Sequence, residues 1–518
     1  MQPTWQITKT FKELDFANGL TAEQLFCTPV GLTYNNVNIL PAAVGKPRQL
    51  DLASQLARGF KINLPILSSP MDTVTESRMA IHMALMGGIG FIHFNLPPDR
   101  AAAEVRRVKR YQMGFITEPC CRKPGDPISE VPKVKSRRGY STILITEDGT
   151  PESKLLGMVT KTHVDLEEQL NRPLGEVMKP TAKLRYFLKK DVPTLAAARA
   201  IFSHDPDLTK IPILNEDGSV YALVTRHDTV KSGTYPLQLV DDNNQLRVGA
   251  AISTHERDLE RAKLLIEAGV DVIIIDAAQG STGYEVDQIK AVKAMKPELP
   301  VIAGNVVTPR QAEQLVEAGA DALRVGMGPG SICSTQGQTG IGRAQLAAVY
   351  HVARYAKSLK NPLPVIADGG IRSPGCIFKA LAVGADTVMV GNYVARTDES
   401  PGDVIIDAKG RWKIYRGMGS PSAQRDGGGA RYGDARHPEV MVPQGVEGKV
   451  PAIGSVDGLL KGTAASLRKS ILDYAGLESL PALHQAMNNG QLRFELRSDE
   501  AQKEGDVHDV IVLEENHK

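Results

Sequence analysis

The sequence predicts an α/β fold: a (β/α)8 barrel of the TIM type, broken once by a second, smaller module. Three observations predict it. Short apolar runs alternate with longer amphipathic stretches, the pattern of parallel strands joined by helices. The phrases AGVD (268–271), AGAD (318–321) and VGAD (383–386) recur, each closing a helix and leading straight into a strand. One interval of about 130 residues then interrupts the rhythm, too long for a structureless loop and so read as a domain.

Eight runs read as strands: 65–68, 89–93, 248–252, 272–275, 301–304, 322–326, 365–367 and 387–391. Six end on a small or polar residue, and helical patterns follow most of them, as at 256–267, 309–317 and 375–382. Eight β/α units favour a closed barrel over an open sheet. In the repeated phrase the glycine suits a left-handed helix cap, although such grammar occurs in α/β proteins generally and does not decide the topology alone. The helix at 99–111 ends the second unit and the third begins near 248. Between them, STILITEDG…KLLGMVTKTHVD (141–165) and IPILNEDGSVYALVTRHD (211–228) resemble each other: a β-rich run, an acidic-Gly turn, a second strand ending Val-Thr, and a polar helix start. Two tandem copies make a pseudo-symmetric module, whose place in a barrel loop suggests regulation or assembly. The division expected is 1–115 and 233–518 for the barrel and 116–232 for the insert, with halves at about 116–175 and 179–232.

The chain has 518 residues, with 61 Lys and Arg against 59 Asp and Glu. A net charge of +2 gives no general footprint for nucleic acid or an anionic membrane, so any anionic ligand must be held locally. Five scattered cysteines, an odd number, do not look like a disulfide framework or a zinc module, and fit a reducing compartment. The N-terminus lacks an apolar targeting core and no apolar run approaches the ~18 residues of a membrane span, so a soluble, cytoplasmic protein is expected.

The richest segment is RVGMGPGSICSTQGQTGIGRAQ (324–345), whose glycines make the long loop 326–345 directly after the sixth strand, on the face where barrels place active sites. A cysteine is more often a buried apolar residue than a nucleophile. Cys333, among Ser331, Ser334 and Thr335 at a strand end, has no such burial in prospect and is the nucleophile candidate. Backbone carbonyls of Gly328, Gly330 and Cys333 could ring a weakly hydrated cation such as potassium; equally, these glycines could serve only to let the loop move. The seventh and eighth strands end in ADGGI (367–371) and VGN (390–392), where Gly369, Gly370 and Gly391 would let a phosphate approach the backbone. Asp368 is placed to bind sugar hydroxyls, unless it is a cap carboxylate. Asp276 and Asn305, at the ends of the fourth and fifth strands, point toward the same mouth. The stretch 415–449, rich in Gly and charge, reads as a mobile flap. The histidines lack metal-ligand spacing, and no strand-GxGxxG-helix fingerprint is present, so a dinucleotide would be bound without a Rossmann domain.

Several segments together carry a resemblance: SSPMDTVTES (68–77), MALMGGIGFIH (83–93), AGNVVT (303–308), VGMGPGSICSTQ (325–336), ADGGI (367–371), YRGMGS (415–420) and QGVEG (444–448). They span nearly the whole chain and resemble the inosine 5'-monophosphate dehydrogenase and GMP reductase superfamily, and the inserted pair resembles tandem CBS motifs, the Bateman domain. The resemblance implies that the Cys333 thiolate adds to C2 of IMP, that hydride passes to NAD, and that Arg431, assisted by Tyr432 and with Thr335 positioning water, hydrolyses the adduct to XMP. It assigns IMP to Ser69, Met71, Ser331, Asp368, Gly370, Gly391, Asn392, Tyr415, Met418, Gly419 and Gln444. Asp276, Asn305, Arg324, Gly326 and Gln336 would surround cofactor and base. Potassium would lie on carbonyls of Gly328, Gly330 and Cys333, completed by Glu504 and Gly505 of a neighbouring subunit. Adenine or guanine nucleotides would meet the insert at Thr160, Lys161, Asp165, Thr225, Arg226 and Asp228, and a homotetramer associating to an octamer is implied.

Departures from the family pattern are specific. Gly391-Asn392 stands where Gly-Ser is usual, Arg396 where a glycine is expected, Ala277 and Ala278 where hydroxyl or His residues are frequent, and Asp506 where the tail has a second glycine. An amide at 392 could substitute for the hydroxyl. The alternative activity within the superfamily is a GMP reductase that uses Cys333 and NADPH to release ammonia. Arg431-Tyr432 favours the dehydrogenase, since only hydrolysis needs that base, and Pro421 stands where reductases usually carry Glu.

Overall fold

A computed structural model describes residues 18–45, 49–112, 114–138, 142–164, 170–226, 229, 235–428 and 442–506. Eight parallel strands close into a barrel: β1 (Ile66–Ser68), β2 (Ile89–Ile92), β3 (Gly249–Ile252), β4 (Val272–Ile275), β5 (Val301–Val306), β6 (Ala322–Val325), β7 (Val365–Asp368) and β8 (Thr387–Val390). They pair in chain order, and the ring closes where Val388 of β8 lies opposite Ile66 of β1. Runs such as Val-Ile-Ile-Ile at β4 are buried along their full length, as expected of strands covered on both faces.

Every strand sends a residue into one apolar cluster: Leu67, Phe91, Ala251, Ile274, Ile302, Ala322, Ile366 and Met389. The same cluster includes Phe60 and Ile62 of an N-terminal hairpin, and it reaches Met418, with Met71 packed against it. The barrel interior is therefore filled, and its apolar packing runs up to the floor of the site. Side chains alternate in size to fit: a Cβ on Gly249 would lie 2.4 Å from the ring of Phe91.

Seven helices follow their strands: α1 (Ser77–Leu85), α2 (Pro98–Arg110), α3 (Asp258–Glu267), α4 (Gly283–Met295), α5 (Pro309–Ala318), α6 (Gln345–Ser358), after an intervening short helix Thr335–Thr339, and α7 (Pro374–Ala382); α8 (Val456–Arg468) packs against α7 and α1 and completes the ring. The repeated AG-x-D phrase acquires a physical meaning here. Its glycines, Gly269, Gly319 and Gly384, have φ of +88°, +101° and +110°. Its aspartates each reach back to the first residue of the preceding strand segment: Asp271 accepts the N–H of Val248 at 2.8 Å, Asp321 that of Val301 at 2.9 Å, and Asp386 that of Val365 at 2.8 Å. Each carboxylate also meets a lysine from a flanking helix, Lys109, Lys293 or Lys357. The phrase is a latch that locks successive strands together at their N-terminal ends.

The chain divides into two compact units, 1–109 with 237–518 and 110–236. The second leaves after α2 and returns before β3, so it interrupts a helix-to-strand connection and none of the strand-to-helix loops. Inside it lie two four-stranded sheets of matching design. In one, Cys121–Arg122, Ile143–Thr146, Leu155–Val159 and Lys179–Pro180 are neighbours in that order; in the other, Phe187–Leu188, Lys210–Leu214, Val220–Thr225 and Phe115–Ile116 are. Two short strands precede each hairpin: the first, Phe115–Ile116 or Lys179–Pro180, pairs with the hairpin of the other copy, and the second, Cys121–Arg122 or Phe187–Leu188, with its own. The acidic-Gly turns match too, with Asp148 accepting from Thr150 and Ser153, and Asp217 from Ser219. Each copy has its own buried cluster, one around Ile143 and Val159, the other around Ile213 and Val224. Among the described residues, no helix is long and apolar enough to cross a membrane.

Candidate active site

The ends of six barrel strands present Ser69, Asp276, Asn305, Gly326, Asp368 and Gly391 to one cavity of about 340 Å³ at the C-terminal mouth. The loop after β6 and the segment 415–419 complete its walls. That volume falls in the range of small-molecule sites.

Local chemistry fixes the cysteine loop. Gly328 has φ +84°, and a Cβ there would stand 2.4 Å from Cγ of Gln336, so the loop's entry turn admits only glycine. Cys333 donates its N–H to Gly330 at 3.0 Å, closing a tight turn. Two segments then hold the turn in register: Val446 N–H to Ile332 O at 2.9 Å and Ser334 N–H to Gln444 O at 3.1 Å, while Gln444 N–H reaches Gly419 O at 3.0 Å. Cys333 and Cys27 are exposed, whereas Cys120, Cys121 and Cys376 are buried, and of the exposed pair it is Cys333 that lines the cavity. Its Sγ is 3.2 Å from Oγ1 of Thr335, which is in turn 3.2 Å from Oε1 of Gln444. The hydroxyl donates its one proton to Gln444, so toward the cysteine it is placed to accept the S–H.

The deep wall is charged and matched. Arg324, pointing inward from β6, pairs with Asp276 of the β4 end and donates Nε to Asp368 at 2.9 Å. Burial works against the guanidinium's charge, but the two carboxylates outweigh it and hold it firmly protonated. Asn305 donates Nδ2 to Gly326 O at 2.6 Å and to Asp368 at 3.0 Å, while its Oδ1 is buried without a hydrogen-bond partner. Tyr415 is buried, which raises its pKa; its hydroxyl, bonded to Ser331 and the backbone of Asn392, stays a donor at neutral pH.

The structure gathers most of the site residues expected of the barrel on this cavity. Ser69, Met71, Asp276, Asn305, Arg324, Gly326, Gly328, Gly330, Ser331, Cys333, Thr335, Asp368, Gly370, Gly391, Asn392, Tyr415, Met418, Gly419 and Gln444 all line it. Gln336 does not: it folds back onto its own loop and donates to Met327 O at 3.1 Å. Glu504 and Gly505 end the helix Asp499–Glu504 and are not on the cavity wall of their own chain. Arg431, Tyr432, Asp165 and Asp228 lie outside the described residues. The segment 415–449, expected to be irregular, begins and ends in order: Gly410–Arg416 and Glu447–Pro451 are paired strands, with Tyr415 opposite Gly448.

In the insert, a cleft of about 500 Å³ is lined by Thr160, Lys161, Thr162, Lys179, Lys183, Arg185 and Lys210 among others. Arg226, expected to face a nucleotide, is instead bonded to the carbonyls of Phe202, Asp205 and Leu208 and stacked over the Phe202 ring. Thr225 simply ends the strand Val220–Thr225.

Sequence reasoning missed Asp72 and Arg416. Asp72, in the loop after β1, takes Arg416 through both carboxylate oxygens at 2.7–3.2 Å and Asn95 at 2.8 Å, tying the flap's first strand to the barrel. The partners are 344 residues apart, and no local pattern signals the pair. Arg372 and Arg396, which also line the cavity, were likewise not assigned to it.

Comparison with known proteins bears on the same residues. Residues 31–508 match the family described as IMP dehydrogenase / GMP reductase domain. The chain is 40% identical to inosine-5'-monophosphate dehydrogenase of Toxoplasma gondii, with 96% of this chain and 99% of that one covered. It is 41% identical to the enzyme of the same name from Trypanosoma brucei brucei, over 98% of each. Among solved structures it resembles GMP reductase from Trypanosoma brucei in complex with guanosine 5'-monophosphate, with a TM-score of 0.73 and 32% identity over 94% of this chain and 99% of that one.

Proposed function

The chain belongs to the IMP dehydrogenase / GMP reductase family and is an oxidoreductase, and from that premise we propose that it oxidises IMP to XMP with NAD, a step of guanine nucleotide synthesis, through a covalent adduct on Cys333. The observation that carries the reading is the exposed Cys333 on the loop after β6, with the Thr335 hydroxyl at 3.2 Å, opening onto a cavity that also holds Asp368 and the glycines after β7 and β8.

In this reading the substrate's phosphate lies against the loops after β7 and β8 and its ribose against Asp368. The Cys333 thiolate forms a C–S bond to C2 of the purine, and C2 gives up hydride. Asn305 suits a nicotinamide carboxamide, because its buried Oδ1 lacks a donor, and with Asp276 it would hold the cofactor. NAD, when bound, supplies the hydride acceptor. Water then attacks C2, Thr335 orients it, Arg431 with Tyr432 takes its proton, and the C–S bond breaks to release XMP and the thiol. Arg324 between its two carboxylates keeps the wall rigid while charge moves at the mouth.

The carbonyls of Gly328, Gly330 and Cys333 are read as ligands of a weakly hydrated potassium ion, completed by Glu504 and Gly505 of a second copy in a homotetramer. Equal turnover in potassium and in sodium alone would count against that site. The insert is read as a tandem CBS module that binds adenine or guanine nucleotides in the cleft lined by Lys161, Lys179, Lys183 and Lys210.

The competing reading is a GMP reductase using NADPH, to which the fold likeness applies equally. Identities of 40% and 41% to dehydrogenases against 32% to the reductase favour oxidation, as do Arg431-Tyr432 and Pro421. Absorbance at 340 nm decides: it should rise with IMP and NAD. A fall with GMP and NADPH, without a rise in the first assay, would overturn the dehydrogenase reading.

A further inference from the structure

Asn392 and Arg396 lie four residues apart on the short helical turn after β8, and they touch each other. Arg396 donates Nη2 to Oδ1 of Asn392 at 3.3 Å, and both line the cavity. The Nε of Arg396 is buried with no hydrogen-bond partner. Among the described residues no carboxylate pairs with this guanidinium: Asp398, nearest in sequence, is held by Arg411 at 2.8 Å, and Asp276 and Asp368 are engaged by Arg324. Arg372, on the loop after β7, lines the same cavity. The deep wall sets one guanidinium between two carboxylates, while the end of the cavity served by β7 and β8 carries arginine with no carboxylate partner among the described residues. A guanidinium with an unused buried donor suits an oxyanion, whose oxygens accept from its planar fork.

We propose that Asn392 and Arg396 work as one unit that binds the phosphate of the purine nucleotide, an element that selects nucleotide over nucleoside. Asn392 steadies the guanidinium through Oδ1 and offers its Nδ2 donor to the same phosphate; Arg396 supplies the positive charge. The inference rests on the nucleotide reading of the site. It is indifferent to whether IMP or GMP is the substrate.

The test reads binding first. Equilibrium titration of the full-length protein with IMP, GMP, inosine and guanosine is compared between wild type and Arg396→Gln. Loss of a charge-assisted hydrogen bond should raise the nucleotide Kd about ten- to a hundredfold, and leave the nucleosides within about twofold. In turnover, KM for the nucleotide should rise with kcat little changed. Equal weakening of nucleotides and nucleosides would mark a merely structural residue and overturn the proposal, as would an unchanged nucleotide Kd. Should Arg396→Gln fail to fold, Arg396→Lys keeps the charge without the fork, and a smaller loss confined to nucleotides is expected; loss on nucleosides alike again refutes it. A nucleotide-specific shift in a protein inert with IMP and NAD would sink the reaction reading alone. A wild type that binds neither nucleotide better than its nucleoside would sink both.

Discussion

Cys333 owes its accessibility to neighbours that cannot bury it and its position to backbone bonds from residues more than a hundred places along the chain. Ser331, Ser334 and Thr335 were visible beside it in the sequence; Gln444, whose carbonyl and side chain both bear on the loop, was visible only as part of a family motif. Replacing the thiol removes the nucleophile and little else, so Cys333→Ala should lower turnover by more than about a thousandfold. Its affinity for IMP should stay within a few-fold, and appreciable turnover by a verified Cys333→Ala sample would refute covalent catalysis. The charged wall was less legible. Asp276, Arg324 and Asp368 could each be placed at a strand end, but their pairing is a consequence of closing the barrel, which brings the ends of β4, β6 and β7 together on one side of the mouth. Arg324→Leu would leave two carboxylates unmatched in a buried setting, an expected cost of about 3–5 kcal/mol. Chemical denaturation should register it, and Asp276→Asn in the same chain should recover part of the loss if the charge imbalance is the cause.

The latch in the AG-x-D phrase belongs to the element scale, because its aspartates couple the start of one strand to the start of the strand before it. Periodicity exposed the strands and helices, and the glycines exposed the caps. The role of the aspartate stayed hidden, since its acceptor bonds go to a residue about 20 positions back, beyond any helix or hairpin spacing. Asp386 is the most telling case: its carboxylate serves Val365 N–H at 2.8 Å and Lys357 Nζ at 2.6 Å, and it is largely buried. Asp386→Ala strands both donors, and a loss of about 2–3 kcal/mol is expected from an unsatisfied buried amide and a lost charged bond. The latch lies at the strand starts, opposite the site, so kcat and KM of the folded variant should match wild type. A melting temperature unchanged by this substitution would show that the latch is ornamental. The flap's ends offer the complementary case. Glycine and charge density concealed two strands there, because strand 447–451 earns its place by pairing with 410–416 and not by its own composition.

At the scale of the whole chain, the insert was legible as an interval without barrel rhythm and as a repeat of two segments; the exchange of leading strands between its halves was not, for strands of two residues leave no periodic trace. The barrel's own bonds show how the interruption is tolerated. Lys109, the last residue before the insert, donates to Asp241 at 2.8 Å and to Asp271 at 2.9 Å, so the departing chain and the returning chain are clamped together within the barrel unit. A short linker can therefore replace 110–236 without dragging α2 or β3 out of place, and loop closure over a few residues costs little. The shortened protein should fold, with kcat and KM within about threefold of wild type, because strand-to-helix loops alone build the site. The isolated segment 110–236, having its own buried clusters, should fold as well and retain whatever adenine or guanine nucleotide binding the full chain has, measured by calorimetry. A folded deletion variant devoid of activity would mean that the insert shapes the barrel's mouth; nucleotide binding that persists in the deletion variant and is missing from the isolated segment would remove the CBS reading and leave the insert's two matched sheets without an assigned ligand.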